Sequence, residues 1–334
     1  MPAYDVVELA ARLMEIDSTS GREGPVVDWL ENFLSGDQWR LRRIPVTPGR
    51  DALLAVAGDG ITVTFSTHLD TVPPFIPPRI QHDRLRGRGA CDAKGIAAAM
   101  IVAATQLRAA GESVALLFVI GEETTHDGAQ AANRIANTSR VLINGEPTES
   151  TLAVGTKGAM RFTLTTHGQA AHSAYPQLGR SALADLVRLL ADMETLALPH
   201  DALLGATTIN IGFIEGGVAD NVMAPMGLAR LMARLVTEPE VLEQQLLEWI
   251  GDRATYERGI TVLPVRLGVL PGFPTSVAAY ATDIPKLTAW GTPYLFGPGS
   301  IHVAHRDDEF VSIPELRAAV DTYVAIALQA LAAR

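Results

Sequence analysis

Three apolar, strand-like runs constrain this chain most, because each one ends directly in acidic or imidazole side chains. The stretch 61–67 leads into His68-Leu69-Asp70, 114–120 into Gly121-Glu122-Glu123, and 141–143 into Asn144-Gly145-Glu146. Val114–Ile120 has no polar interruption, as expected of a central strand covered on both faces. Functional side chains at successive strand ends are the signature of an open α/β sheet, whose sites lie beyond the carboxyl ends of its strands. The alanine-rich, periodic segment from Lys94 to Ala110, closed by Gly111, predicts a buried helix between two of these strands. Helices are also predicted over 4–16, 25–34 and 313–331, the last with Pro314 in its first turn, and strands over 40–46 and 52–57.

The texture changes after about Gly155. Stretches 160–166 and 207–214 alternate apolar and polar residues, 229–235 is a further strand, and 180–196 and 241–250 have helical spacing. This order predicts a small α+β sandwich inserted into the first domain. The expected organisation is a catalytic domain over 1–154 plus 268–334, with an inserted lid over 155–267. The fold class is therefore α/β, a mixed sheet between helices, with an α+β, ferredoxin-like insertion.

Composition narrows the function. The chain has 334 residues and a formal charge of −10, with no basic block, which argues against nucleic acid as a partner. Cys91 is the only cysteine, so an internal disulfide is excluded. The most apolar helical stretch, Ile96–Thr105, is roughly half the length that spans a bilayer. Residues 1–20 are amphipathic and of mixed charge rather than a basic start followed by an apolar core. A cytoplasmic enzyme with no membrane partner is the expectation.

The candidate site is a series of short motifs. In order they are His68-x-Asp70, Gly87-Arg88-Gly89-x-x-Asp92-x-Lys94-Gly95, Gly121-Glu122-Glu123, Gly145-Glu146-Pro147-Thr148 and His305-x-x-Asp308-Glu309. Any one alone is consistent with a solvated turn or a helix-start acid. Together they supply about five metal ligands and an unligated acid, the inventory of a two-metal hydrolase.

In this order the motifs resemble the M20 metallopeptidase family, which includes acetylornithine deacetylases, desuccinylases, aminoacylases and carboxypeptidases. The resemblance implies that His68 binds one ion and that the Asp70 carboxylate orients it. It implies that Asp92 bridges two ions, that Glu146 completes the first set, and that Glu123 and a C-terminal histidine complete the second. The C-terminal segment resembles the deacetylase pattern, in which the histidine three residues before Asp-Glu binds metal, and this implies His305 rather than His302. Glu122 resembles the general base; successive extended residues point opposite ways, which would separate it from the ligand Glu123. A cis peptide at Asp92–Ala93 is also implied. The ions expected are zinc, with cobalt tolerated.

In the insertion, Gly168 to Pro176 resembles the lid segment whose histidine, here His172, donates to the oxyanion, commonly in a partner subunit's pocket. Asn221 matches a substrate-contacting asparagine, and Arg234, thirteen residues on, an arginine that grips the substrate carboxylate. Gly297 and Gly299 are expected to shape the loop that admits substrate. Cys91 is expected to be inert, and His82, His126, His167 and His200 to be surface or structural residues.

The reading that results is a homodimeric amidohydrolase that removes an acyl group, acetyl foremost, from an N-acyl amino acid such as N-acetylornithine or N-acetyllysine. The alternative keeps the site and makes the substrate a peptide, giving a carboxypeptidase or dipeptidase. A third reading is a non-catalytic binding protein on the same fold. It requires loss of a ligand or of the base, and all are present.

Overall fold

A computed structural model of the chain describes residues 5–36 and 38–333, so the first residue of the helix expected over 4–16, and the outermost ends of the first expected domain, lie outside the described residues. The chain divides into two compact units. One comprises Met1–Val154, Arg266–Ser276 and Thr282–Arg334, and the other Gly155–Val265 with Val277–Ala281. The short Val277–Ala281 segment joins the second unit, where the Ala278 carbonyl accepts from the Lys157 N–H at 2.9 Å.

The first unit is built on a mixed sheet. Among the described residues, six of its nine strands run in the spatial order Arg40–Thr47, Arg50–Ala57, Val114–Val119, Val63–His68, Val141–Asn144, Thr292–Leu295, and Leu152–Thr156 pairs antiparallel with the last. The first two pair antiparallel, and Arg50–Ala57 pairs antiparallel with Val114–Val119. The remaining neighbours among the six are parallel. Four parallel strands thus end along one edge, so the loops after His68, Val119, Asn144 and Leu295 meet there. Val63–His68 and Val114–Val119 are buried at every residue, which explains their unbroken apolar or small-polar sequence.

Helices cover both faces. On one side Val6–Met14, Gly24–Ser35, Lys94–Ala109 and Ile313–Ala332 pack over Phe65, Val114, Leu116 and Ile143. On the other, Ala129 and Ala132 of the short helix Asp127–Ala132 join Trp290 against Ala115, Leu117, Val119 and Leu142. Lys94–Ala109 is nearly all buried, and its alanines let it approach the sheet closely. No helix among the described residues is long and apolar enough to cross a membrane.

The second unit is a four-stranded antiparallel sheet in the order Thr208–Gly216, Met226–Leu235, Gly158–His167, Thr255–Val262. Its chain order is β-α-β-β-α-β, and its strand order is that of the ferredoxin-like sandwich. Helices Ala182–Asp192 and Pro239–Ile250 bury Leu186, Leu189, Leu242 and Leu246 against Phe162, Leu164 and Leu231 on one face. The other face carries no helix. Thr255–Val262 was not anticipated as a strand: six of its eight residues are wholly or partly solvent-facing polar or glycine positions, so no alternation marks it.

Candidate active site

Asp92 sits where the two halves of the acidic cluster meet. Its Oδ1 lies 2.9 Å from His68 Nε2, and its Oδ2 lies 3.3 Å from His305 Nε2. One carboxylate therefore faces a different imidazole with each oxygen. Glu123 Oε1 is 3.0 Å from His305 Nε2, and Glu146 Oε2 is 3.9 Å from His68 Nε2. His68, Asp92 and Glu123 each direct one ligand atom into a cluster whose atoms all lie within 4.8 Å of one another.

Each position follows from local structure. His68 is the last residue of its strand, and Glu146 follows the strand Val141–Asn144 by two residues. Between them the Gly145 N–H donates to the Ser66 carbonyl at 2.8 Å, and a side chain at Gly145 would collide with Ile96 and Met100. Asp92 lies in the loop that starts helix Lys94–Ala109, with a cis peptide between Asp92 and Ala93. That loop is held from below by Glu309, whose Oε1 accepts from the N–H groups of Cys91 (3.2 Å) and Asp92 (3.3 Å). Glu309 Oε2 pairs with Arg88 at 2.7 Å, both side chains being fully buried. The Lys94 ammonium donates to the Ile16 carbonyl at 2.6 Å, and burial brings its pKa down to about 7.

Two details differ from the sequence expectation. The nearest acceptor for His68 Nδ1–H is the backbone carbonyl of Asp70, at 2.8 Å; the Asp70 carboxylate is 3.6 Å away. That carboxylate instead accepts from the Ser20 hydroxyl at 3.0 Å and from the N–H groups of Glu122 (3.1 Å) and Glu123 (3.2 Å). Glu122 and Glu123 also do not sit in extended backbone. They belong to a turn after the strand Val114–Val119, in which the N–H groups of Thr124, Thr125 and His126 converge on the Gly121 carbonyl. The turn, rather than strand alternation, sends the two side chains different ways.

His126, expected to be a surface or structural residue, is buried, with left-handed backbone at φ 54°. Its Nδ1–H donates to Asp283 Oδ1 at 2.8 Å and lies 3.9 Å from Glu122 Oε1. Asp283 is itself buried, and no sequence motif singled it out.

Among the remaining candidates, His305 carries its ring into the cluster from a left-handed position (φ 65°), while His302 is exposed. Gly299 is a packing residue: its φ is +83°, a side chain there would meet Cys91, and its N–H is taken by Glu315 Oε1 at 2.9 Å, so it offers substrate no free donor. The Cys91 thiol is buried, and burial with Glu309 and Asp92 nearby pushes its pKa well up. His82, His167 and His200 are exposed.

In the second unit, His172 and Asn221 lie on paired segments. His172 bridges to Val222, and the Ser173 N–H donates to the Asn221 carbonyl at 2.9 Å. Arg234 stands at the other end of the sheet, paired with Thr208 and Ala159. Eight residues of strand separate it from Met226, a distance of about 26 Å.

The electrostatics test whether cations suit the cluster. His68 spends its Nδ1–H on a carbonyl, so its Nε2 lone pair would face carboxylate oxygens unless a proton or a metal lay between them. Burial works against a proton there, yet Asp70, Asp92 and Glu146 hold the His68 pKa well above its ordinary value. Asp92 and Glu123 push His305 up to about 10. Burial and neighbouring carboxylates raise Glu122 and Glu146 well above the usual carboxylate range, and Glu146 Oε1 has no hydrogen-bond partner. Two imidazoles and three carboxylates around an unpaired oxygen fit divalent cations.

A family profile described as Peptidase family M20/M25/M40 matches residues 64–329, most of the chain. The chain belongs to this peptidase family. An M20 domain-containing protein of Schizosaccharomyces pombe is 40% identical over 340 residues, covering 97% of this chain and 84% of that protein. A protein of Aspergillus fumigatus named a probable carboxypeptidase is 35% identical over 367 residues, covering 93% and 83%. Among solved structures, an M20 family metallo-carboxypeptidase of Sulfolobus solfataricus superposes with a TM-score of 0.76 at 16% identity, over 98% of this chain and 100% of that one. The last likeness confirms the M20 fold, a mixed sheet between helices with a separate antiparallel sheet.

Proposed function

We propose that this M20 protein is a metal-dependent carboxypeptidase that releases the C-terminal residue of short peptides. The observation that carries the hydrolytic part is Asp92, whose two oxygens face the separate imidazoles of His68 and His305 beside an uncommitted Glu122. His68, Asp92 and Glu146 would hold one divalent ion, and Asp92, Glu123 and His305 the other. Such ions, when bound, polarise a carbonyl and acidify water. Zinc, cobalt and manganese all suit these donors.

Glu122 performs the proton work. Its carboxylate takes a proton as water oxygen bonds to the scissile carbonyl carbon, then delivers it to the amine nitrogen as the C–N bond breaks. Burial favours its protonated form, so it holds the proton between the two events. The N-acyl amino acid reading uses the same chemistry; the probable carboxypeptidases among the relatives favour the peptide substrate instead.

A second copy of this chain completes the proposal. Arg234 lies about 26 Å along its strand from Met226, the end nearer the His172–Val222 bridge, which supports a pocket that draws the two residues from two copies. The edge strand Thr208–Gly216 is the surface offered for pairing. Its outer edge is free among the described residues, and Ile211, Phe213 and Ile214 are 40%, 37% and 48% exposed.

The deciding experiment is hydrolysis of dipeptides, tripeptides, N-acetyl and N-succinyl amino acids by zinc-loaded and chelator-stripped protein. Metal-dependent release of C-terminal residues is expected. Turnover confined to N-acyl amino acids would replace the carboxypeptidase reading. For the dimer, mixing inactive Glu122→Gln and His172→Ala proteins should restore activity if His172 serves the partner's pocket.

A further inference from the structure

The uncovered face of the second unit's sheet holds an unusual set of charges. β-bulges interrupt both edge strands at the same level, between Ile211 and Phe213 on one side and between Arg258 and Thr261 on the other. The rung they flank is Leu231 paired with Phe162, so the sheet twists more sharply there from both sides. Its open face becomes a trough of about 380 Å³, lined by Arg161, Thr163, Arg230, Met232, Glu257 and Ile260.

Arg161 stands opposite Met232, whose neighbours on the same face of its strand are Arg230 and Arg234. Three guanidinium groups therefore share one small surface. None has an ion-pair partner among the described residues, although Arg43, Arg50, Arg88 and Arg258 all hold carboxylates. Burial and the adjacent Arg161 lower the pKa of Arg234, the mark of uncompensated like charge. Arg230 lies 4.0 Å over the Phe213 ring, which fixes its plane and leaves its edge N–H groups directed outward.

Glu257 is the one acid in the lining, and it too lacks a partner. Register explains why: it pairs with Thr163, and Thr163 pairs with Arg230, so Glu257 and Arg230 are two strands apart. Their backbones stand two strand spacings, or about 10 Å, apart, and their charged ends form no ion pair among the described residues. Two guanidinium groups and one carboxylate, all without an ion-pair partner among the described residues and lining one trough, complement a molecule that carries a carboxylate and an ammonium on one carbon.

We propose that this trough binds a free α-amino acid with an aliphatic side chain. Its carboxylate lies between Arg161 and Arg230, its ammonium reaches Glu257, and its side chain rests on Met232 and Ile260. This is a binding site within the second unit alone, and it does not depend on the hydrolytic reading of the metal cluster.

Met232 lies in the floor and supplies a local probe. The full-length protein, labelled with ¹³C at its methionine methyls and with the Met232 signal assigned through Met232→Leu, would be titrated with L-leucine. A saturable shift of that signal is expected. Isocaproate, which lacks the ammonium, and isoamylamine, which lacks the carboxylate, should each bind at least about tenfold more weakly. Arg161→Ala and Glu257→Gln should each weaken leucine by a similar factor. Both side chains are solvent-facing, and thermal melts would confirm that the variants fold. A Met232 signal that does not move overturns the proposal. Isocaproate binding as tightly as leucine, or leucine binding unchanged in Arg161→Ala, overturns it equally.

Discussion

The Asp70 carboxylate accepts the backbone N–H of Glu122 at 3.1 Å and, through its other oxygen, that of Glu123 at 3.2 Å. Asp70 thereby sets the turn that aims both the proposed base and a proposed metal ligand, while its own carbonyl fixes the tautomer of His68. Burial opposes charge on Asp70, but His68, Ser20 and Glu122 outweigh it and keep the carboxyl below its usual range. Asp70→Asn keeps the carbonyl and substitutes an amide donor for one acceptor, leaving one N–H of the turn facing another donor. The expected result is a loss in kcat of about 10–100-fold with KM little changed, read by steady-state kinetics alongside metal content.

Glu122 carries the proton and binds no ion in the proposed arrangement, so its removal should separate catalysis from metal binding. Glu122→Gln is expected to lower kcat by about 10²–10⁴ while both metal equivalents remain by elemental analysis. Loss of a metal equivalent would make Glu122 a ligand instead.

The two C-terminal histidines should behave differently. His305 meets Asp92 and Glu123 directly, whereas His302 is exposed and three residues earlier. His305→Ala should lose one equivalent of bound metal and most activity. His302→Ala should keep both equivalents, as equilibrium dialysis would show.

What the sequence revealed and what it hid divide along physical lines. Val114–Val119 and Lys94–Ala109 were legible because burial on two sides leaves an unbroken apolar run. The acidic cluster was legible because its residues stand in compact motifs, three of them, His68, Glu123 and Glu146, at or just after strand ends. Glu309 and Asp283 act through partners 221 and 157 residues away, Arg88 and His126, and no local pattern announces such a pair. The strand Thr255–Val262 was hidden because its edge position leaves most of its residues wholly or partly exposed, with no apolar–polar alternation.

Metal loading should depend steeply on pH. In the metal-free protein the cluster's carboxylates raise His68 well above its ordinary pKa and His305 to about 10. Binding a cation requires both imidazoles neutral at Nε2, so the loaded form holds fewer protons than the free form. Linkage then makes affinity rise with pH until about 10 and fall on acidification. Competition with a fluorescent zinc chelator should show Kd increasing at least about tenfold for each pH unit lowered. Chelation should also lower Tm, since it leaves the buried carboxylates facing one another.

The buried pair of Arg88 and Glu309 gives the clearest stability prediction. Glu309 uses one oxygen on Arg88 and the other on the N–H groups of Cys91 and Asp92, so it transmits the position of Arg88 to Asp92. Arg88 also donates to the Arg306 carbonyl at 3.1 Å, on the loop that carries His305. Arg88→Ala leaves a buried carboxylate without its cation, beside Asp92, which already raises its pKa together with burial. The expected cost is about 3–5 kcal/mol, measured by denaturant unfolding of the metal-free protein. Glu309→Gln keeps one acceptor for the Asp92 loop and should cost less in stability, yet still weaken metal binding because the loop loses its fixed position. An Arg88→Ala protein as stable as the parent would show that the pair serves the site alone.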